Sequence, residues 1–174
     1  TYVQDKAKIS LDVQDMLLAL NEGSYELAKL IYTDGKNSEI YDENGKFVSL
    51  RSLKGFSVDS SLDMVDEPLF NIYEYALQDS DGNFMSREVR LYADTLVEDT
   101  FQKISTGGRT VPAEAAVALN LWMHVVHLLH ETLRLCKKKE LRNDDGVHSM
   151  DVAVAYWIGD GQVAGDGERG HLLY

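Results

Sequence analysis

From Pro112 to Asn143 the chain runs without a glycine or a further proline, through a stretch dense in Ala, Leu, His, Lys and Glu. Ala, Leu, Lys and Glu are strong helix formers, and proline is tolerated in a first helical turn, where its missing N–H would lack an intrahelical partner anyway. The run predicts one long helix over 112–142. Lys137, Lys138 and Lys139 fall in its last turns, where cations complement the helix dipole, and Asn143-Asp144-Asp145-Gly146 is the stop. A rod of that length cannot bury an apolar face alone, so the other segments must pack on it.

Their patterning suits that role. Ile9, Val13, Met16, Leu17 and Leu20 recur at steps of three and four, marking a helix that ends near residues 21–23. Ser24 is placed to cap a shorter helix carrying Ala28 and Ile31, which stops at Thr33-Asp34-Gly35. Pro68, Leu69, Phe70, Tyr73 and Leu77 suit another helix, and the clearest stripe is Val89, Ala93, Leu96, Val97, Thr100, Phe101 and Ile104, closed by Gly107-Gly108. Ser149 is placed to cap a last helix through Trp157 and Ile158, and residues 170–174 read as the first turns of one more. The expected fold is a single all-α domain, residues 1–174, arranged as an antiparallel helical bundle with one long ordered loop at about residues 33–66. That loop carries turn formers and no lasting period, with room for a small hairpin; Phe47, Leu50, Leu53 and Phe56 are expected to tie it to the bundle.

Charge narrows the partners. Lys and Arg total 17 against 29 Asp and Glu, a formal net charge of −12, which disfavours nucleic acid and anionic membranes and suits cations. No run reaches the ~18–20 apolar residues of a membrane span, so no direct membrane insertion is expected. The one cysteine, Cys136, cannot support an internal disulfide or a thiolate cluster; it is expected to be inert and partly buried, and any metal site must use N and O ligands.

Three constellations supply such chemistry. On the long helix, His124, His127 and Glu131 share a narrow arc, with His130 offset from them; iron, zinc, copper or manganese accepts such ligands, although single histidines among apolar neighbours are commonly core residues. The spacing is not His-Glu-x-x-His, so a zinc protease is not indicated. In Asp144-Asp145-Gly146-Val147-His148-Ser149-Met150-Asp151, His148 and Asp151 stand three apart, whereas Asp144 and Asp145 read as cap and turn residues; the order of an EF-hand loop is absent. The short connection allows His130, Glu131, His148 and Asp151 to share one polar site. Last, Arg51-Ser52-Leu53-Lys54-Gly55-Phe56 is a basic island that could hold an anion or pair with carboxylates. No nucleophile-and-base pattern points to an enzyme; a metal-activated water is the weakest reading.

In order along the chain, Ala28-Lys29-Leu30-Ile31-Tyr32, Gly35-Lys36-Asn37-Ser38, Arg51 to Phe56, Leu129-His130-Glu131, Asn143 to Asp151, Ala155-Tyr156-Trp157 and Gly170-His171-Leu172-Leu173 resemble the iron-assimilation family of green algae. These are low-iron-inducible periplasmic proteins, also described as high-carbon-dioxide-inducible, related to the diatom phytotransferrins. Thr132-Leu133-Arg134 and Val152-Ala153 depart from the pattern. The resemblance implies a fragment of a longer secreted, periplasmic or cell-surface protein that captures ferric iron, with carbonate as a synergistic anion. It implies His130, Glu131, His148 and Asp151 as metal ligands, Arg51 and Lys54 as anion-side residues, and other cell-surface proteins as further partners. The alternative is a structural or adhesive surface domain in which the same four residues form a buried polar network.

Overall fold

The structure, a computed structural model, describes residues 3–57, 92–104, 108–138, 145–161 and 171–173. A short helix α1 (Gln4–Ala7) leads into α2 (Ile9–Asn21), whose apolar stripe is the one expected: Ile9, Val13, Met16 and Leu20 are buried and Leu17 packs against them. Burying side chains of this size contributes about 1.5–3 kcal/mol each. α3 (Tyr25–Asp34) turns Ala28, Ile31 and Tyr32 inward and leaves Leu27 and Leu30 exposed. Ser24 precedes α3 without a side-chain cap bond; its N–H instead donates to the Ala19 carbonyl at 2.8 Å and its carbonyl accepts from Ala28 at 3.1 Å, so the backbone closes the α2–α3 turn.

The expected loop is only partly loop. After α3 come a two-stranded antiparallel hairpin, β1 (Glu39–Tyr41) with β2 (Phe47–Leu50), and a helical turn at 53–57; residues 58–66 lie outside the described residues. Leu53 and Phe56 enter the core as expected, and Leu50 is half-buried. Phe47 does not: it is 50% exposed and meets Tyr41 edge-on at 6.4 Å. Residues 41–49 are all exposed: among the described residues the sheet has two strands only, and no second sheet layer covers this end. The described architecture is therefore mostly α, with the small hairpin for which the loop had room as its one sheet among the described residues.

α4 (Tyr92–Gln102) contributes Ala93 and Val97 to the core, while the segment around Pro68 to Leu77 lies outside the described residues. The long helix is present as a continuous helical run, α5 (Val111–Ala115), a π-helical segment Ala116–Leu121, and α6 (Trp122–Lys138); Pro112 sits in its first turn as predicted, and residues 139–142 are outside the described set. The wider π turn absorbs one extra residue. It moves the buried stripe from Ala113, Val117 and Asn120 to Leu121, Val125, Thr132 and Leu135.

α7 (Asp145–Ile158) packs on α6 and on α1, burying Val152, Ala153 and Tyr156. Because α7 begins at Asp145, Ser149 lies within it and is not its cap. Gly159, at φ +90°, ends it: a Cβ there would stand 2.7 Å from that of Ser10, whose hydroxyl accepts the Asp160 N–H at 2.9 Å. Residues 171–173 are bends and not helix, with Leu172 and Leu173 packed on the core. Cys136 is exposed, not partly buried, since it falls on the outer side of α6 between Leu135 and Lys137.

Candidate functional site

The packing of α7 against α6 and α1 opens a cavity of about 440 Å³ beside residues 50–56. Its lining is mixed: Lys6, Arg51, Ser52, His124, His148 and Ser149 border it together with Phe56, Leu128, Val152 and Tyr156. Among the described residues no Asp or Glu lines it.

Arg51 is placed by its backbone. Its N–H donates to the Ser38 carbonyl at 2.7 Å, and its Nη1 donates to Ser38 Oγ at 2.7 Å. The strand pair can close this way because Gly35 (φ +75°) lies against the Arg51 carbonyl, where a Cβ would come within 2.2 Å of the oxygen. Asp12 holds the turn that follows. Fully buried on α2, it accepts the backbone N–H of Asn37 at 2.8 Å and of Lys36 at 3.1 Å, together with the Asn37 amide at 2.8 Å. Burial pushes its carboxyl above the ordinary carboxylate range, against the pull of those donors. Gly35-Lys36-Asn37-Ser38 thus positions Arg51 and is not itself at the cavity.

His124 lines the cavity between two aromatic rings. Its ring lies 4.8 Å from that of Phe56 and 5.5 Å from that of Tyr156, and Phe56 meets Tyr156 edge-on at 5.0 Å. Burial, reinforced by the nearby charges of His127, Arg51 and Lys6, pushes its imidazole down to about 3, so it is neutral near pH 7.

Lys54 faces elsewhere. It pairs with Asp94 at 3.3 Å and Glu98 at 3.4 Å, and Glu98 also pairs with Lys29 at 2.6 Å. Behind this cluster the Tyr32 hydroxyl donates to Asp94 Oδ1 at 2.7 Å. Asn120 Nδ2 donates to the Tyr32 oxygen at 2.9 Å and to the Leu53 carbonyl at 3.0 Å. Burial and the neighbouring Asp94 raise the Tyr32 phenol far above its ordinary value, so it stays a donor. Asn120 Oδ1 is buried without a partner among the described residues.

Of the residues singled out from sequence, Arg51 and His148 line the cavity, and His124 of the helical histidine series joins them. His130 and Glu131 stand further along α6; Glu131 is clamped by both Nε (2.6 Å) and Nη2 of Arg134, which hold its carboxyl below the ordinary range. Asp151 is exposed. Among the described residues, which include all four predicted metal ligands, no three His, Cys, Asp or Glu are grouped to hold a metal ion. Sequence reasoning missed Lys6, Ser149 and Tyr156 as cavity residues. Lys6 carries no local signal, since only the docking of α1 on α7 brings it there; Tyr156 was legible as an apolar helix position and gains its role from His124 opposite. No family model, curated protein or solved structure matches the chain in comparisons with each.

Proposed function

We propose that this chain is a binding module, not an enzyme, that takes up ferric iron outside the cell together with carbonate, the cavity serving as the anion's seat. The observation that supports this reading is the meeting of Arg51 and His148 in one cavity: one comes from the predicted anion side, the other from the predicted metal side. Arg51 and Lys6 repel a bare trivalent cation, so iron enters this reading only with an anion that neutralises them. The helices are taken as an antiparallel bundle, in keeping with the contact between Tyr156, late in α7, and His124, early in α6.

The test is iron retained by the chelator-treated chain after ferric loading with and without bicarbonate, measured by elemental analysis. Bicarbonate-dependent retention that is lost in Arg51→Met and His148→Ala supports the reading. Equal, low retention under both conditions would sink it.

A second reading, a structural or adhesive surface domain, draws on the engagement of Glu131 by Arg134 and on the missing three-residue metal group among the described residues. It gains if His130→Ala and His148→Ala both leave iron retention unchanged.

A further inference from the structure

The cavity is large for an inorganic anion. A water molecule's share of liquid volume is about 30 Å³, and a carbonate or phosphate takes only a few times that, whereas the cavity holds about 440 Å³. That size falls in the range of small-molecule sites, roughly 300–1,000 Å³. Its lining is also mixed, with basic and hydroxyl groups and the apolar side chains of Phe56, Leu128 and Val152. An inorganic anion would use the polar groups and leave the apolar ones facing water.

We propose that the cavity binds a small organic carboxylate, its anionic head at Arg51 and its apolar or aromatic body against Phe56, Leu128 and Val152. This rests on the reading of the cavity as the ligand site, and not on iron. The planar guanidinium suits a carboxylate head, because its paired N–H groups match two oxygens at once. Arg51 is fixed for that task through Nη1 by Ser38, and it forms no ion pair among the described residues. Acids do stand nearby: Asp5 and Glu39 line a smaller adjoining cavity of about 190 Å³ that also touches Lys6 and Arg51. Both are engaged, Asp5 with Lys8 at 3.1 Å and Glu39 with the Tyr41 hydroxyl.

The test uses calorimetry on the whole, metal-free chain with four probes: benzoate (head and body), acetate (head alone), benzamide (body without charge) and bicarbonate. Benzoate is expected to bind at least tenfold more tightly than each of the others. Arg51→Met is expected to weaken it tenfold or more, whereas Lys54→Met, outside the cavity, leaves it unchanged. Amide chemical shifts in the unaltered chain give a readout that needs no variant: benzoate should move Arg51, Phe56, Leu128 and Val152. The proposal is overturned if acetate or bicarbonate binds as tightly as benzoate, if benzamide matches it, or if the shifts fall elsewhere. Benzoate binding without iron retention would leave this inference standing and remove the iron reading; bicarbonate-dependent iron retention without benzoate binding would do the reverse.

Discussion

Two polar clusters lie on either side of the helical turn at 53–57, and they handle charge in opposite ways. On one side, Lys29 and Lys54 are matched by Glu98 and Asp94, and Tyr32 and Asn120 complete the hydrogen bonds inward to the Leu53 carbonyl. On the other, Lys6 and Arg51 border a cavity with His124, whose imidazole burial holds neutral, and no acid lines it among the described residues. Opposite charges paired across helices fix those helices; Arg51, held by the Ser38 hydroxyl and in no ion pair among the described residues, keeps donors for a ligand. Two neighbouring residues of one basic hexapeptide, Arg51 and Lys54, therefore belong to different kinds of site.

Breaking the paired cluster should give the largest effect. Asp94→Ala removes the acceptor of the buried Tyr32 hydroxyl and one partner of Lys54, leaving polar groups unpaired in the core. Loss of such a buried partner costs about 3 kcal/mol, so the urea midpoint should drop sharply while any cavity binding survives in the folded fraction. A fall below about 1 kcal/mol would mean that water reaches the cluster. Gly35→Ala should cost a similar amount, about 3 kcal/mol, because its backbone angles are nearly closed to other residues and a Cβ meets the Arg51 carbonyl at 2.2 Å. It differs in also disturbing the cavity, so calorimetric binding should fall with stability.

How far the sequence reached can be seen from these same residues. The helices were legible wherever apolar steps of three and four repeat, as in Ile9, Val13, Met16 and Leu20, because the period alone fixes a face. The paired state of Lys54 was open in the sequence, since its partners lie some forty residues away on α4. Lys6 was invisible for the same reason. The π turn was hidden too: a constant period of 3.6 cannot foresee that one added residue moves the inner face from Asn120 to Leu121 and Val125.

Arg51→Met sharpens the contrast from the cavity side. It removes one hydrogen bond to Ser38, worth about 1 kcal/mol, yet should abolish carboxylate binding. A stability loss as large as that of Asp94→Ala would show that Arg51 is a structural residue after all.

His124 gives a pH signature with a definite sign. In the unfolded chain it takes a proton near the ordinary value of 6.5, in the folded chain only near 3. Between these values the unfolded state holds more protons, so stability rises with pH and is lost on acidification below about 6.5. His124→Phe, which keeps a ring between Phe56 and Tyr156, should flatten the profile over this window by up to one proton, about 1.4 kcal/mol per pH unit. Unchanged slopes in urea titrations at pH 4–6.5 would show that the imidazole is not held neutral.

The smallest stability effect is expected at Glu131, and it bears most directly on the metal. Its pairing with Arg134 is one turn apart on a single helix, on the partly exposed side of α6, and such pairs contribute about 0.5 kcal/mol or less. Glu131→Gln should therefore barely move the urea midpoint. Its folded carboxyl sits below the ordinary range, so the small contribution is present above about pH 4.5 and fades as the pH falls. Iron retention separates the readings where stability cannot. If Glu131 ligates iron, it must leave Arg134 to do so, and the amide variant loses retained metal; Arg134→Met, by releasing the carboxylate, should then raise it. If the pair only decorates the helix, neither substitution changes retention, and the carboxylate stands with the paired cluster and not with the cavity.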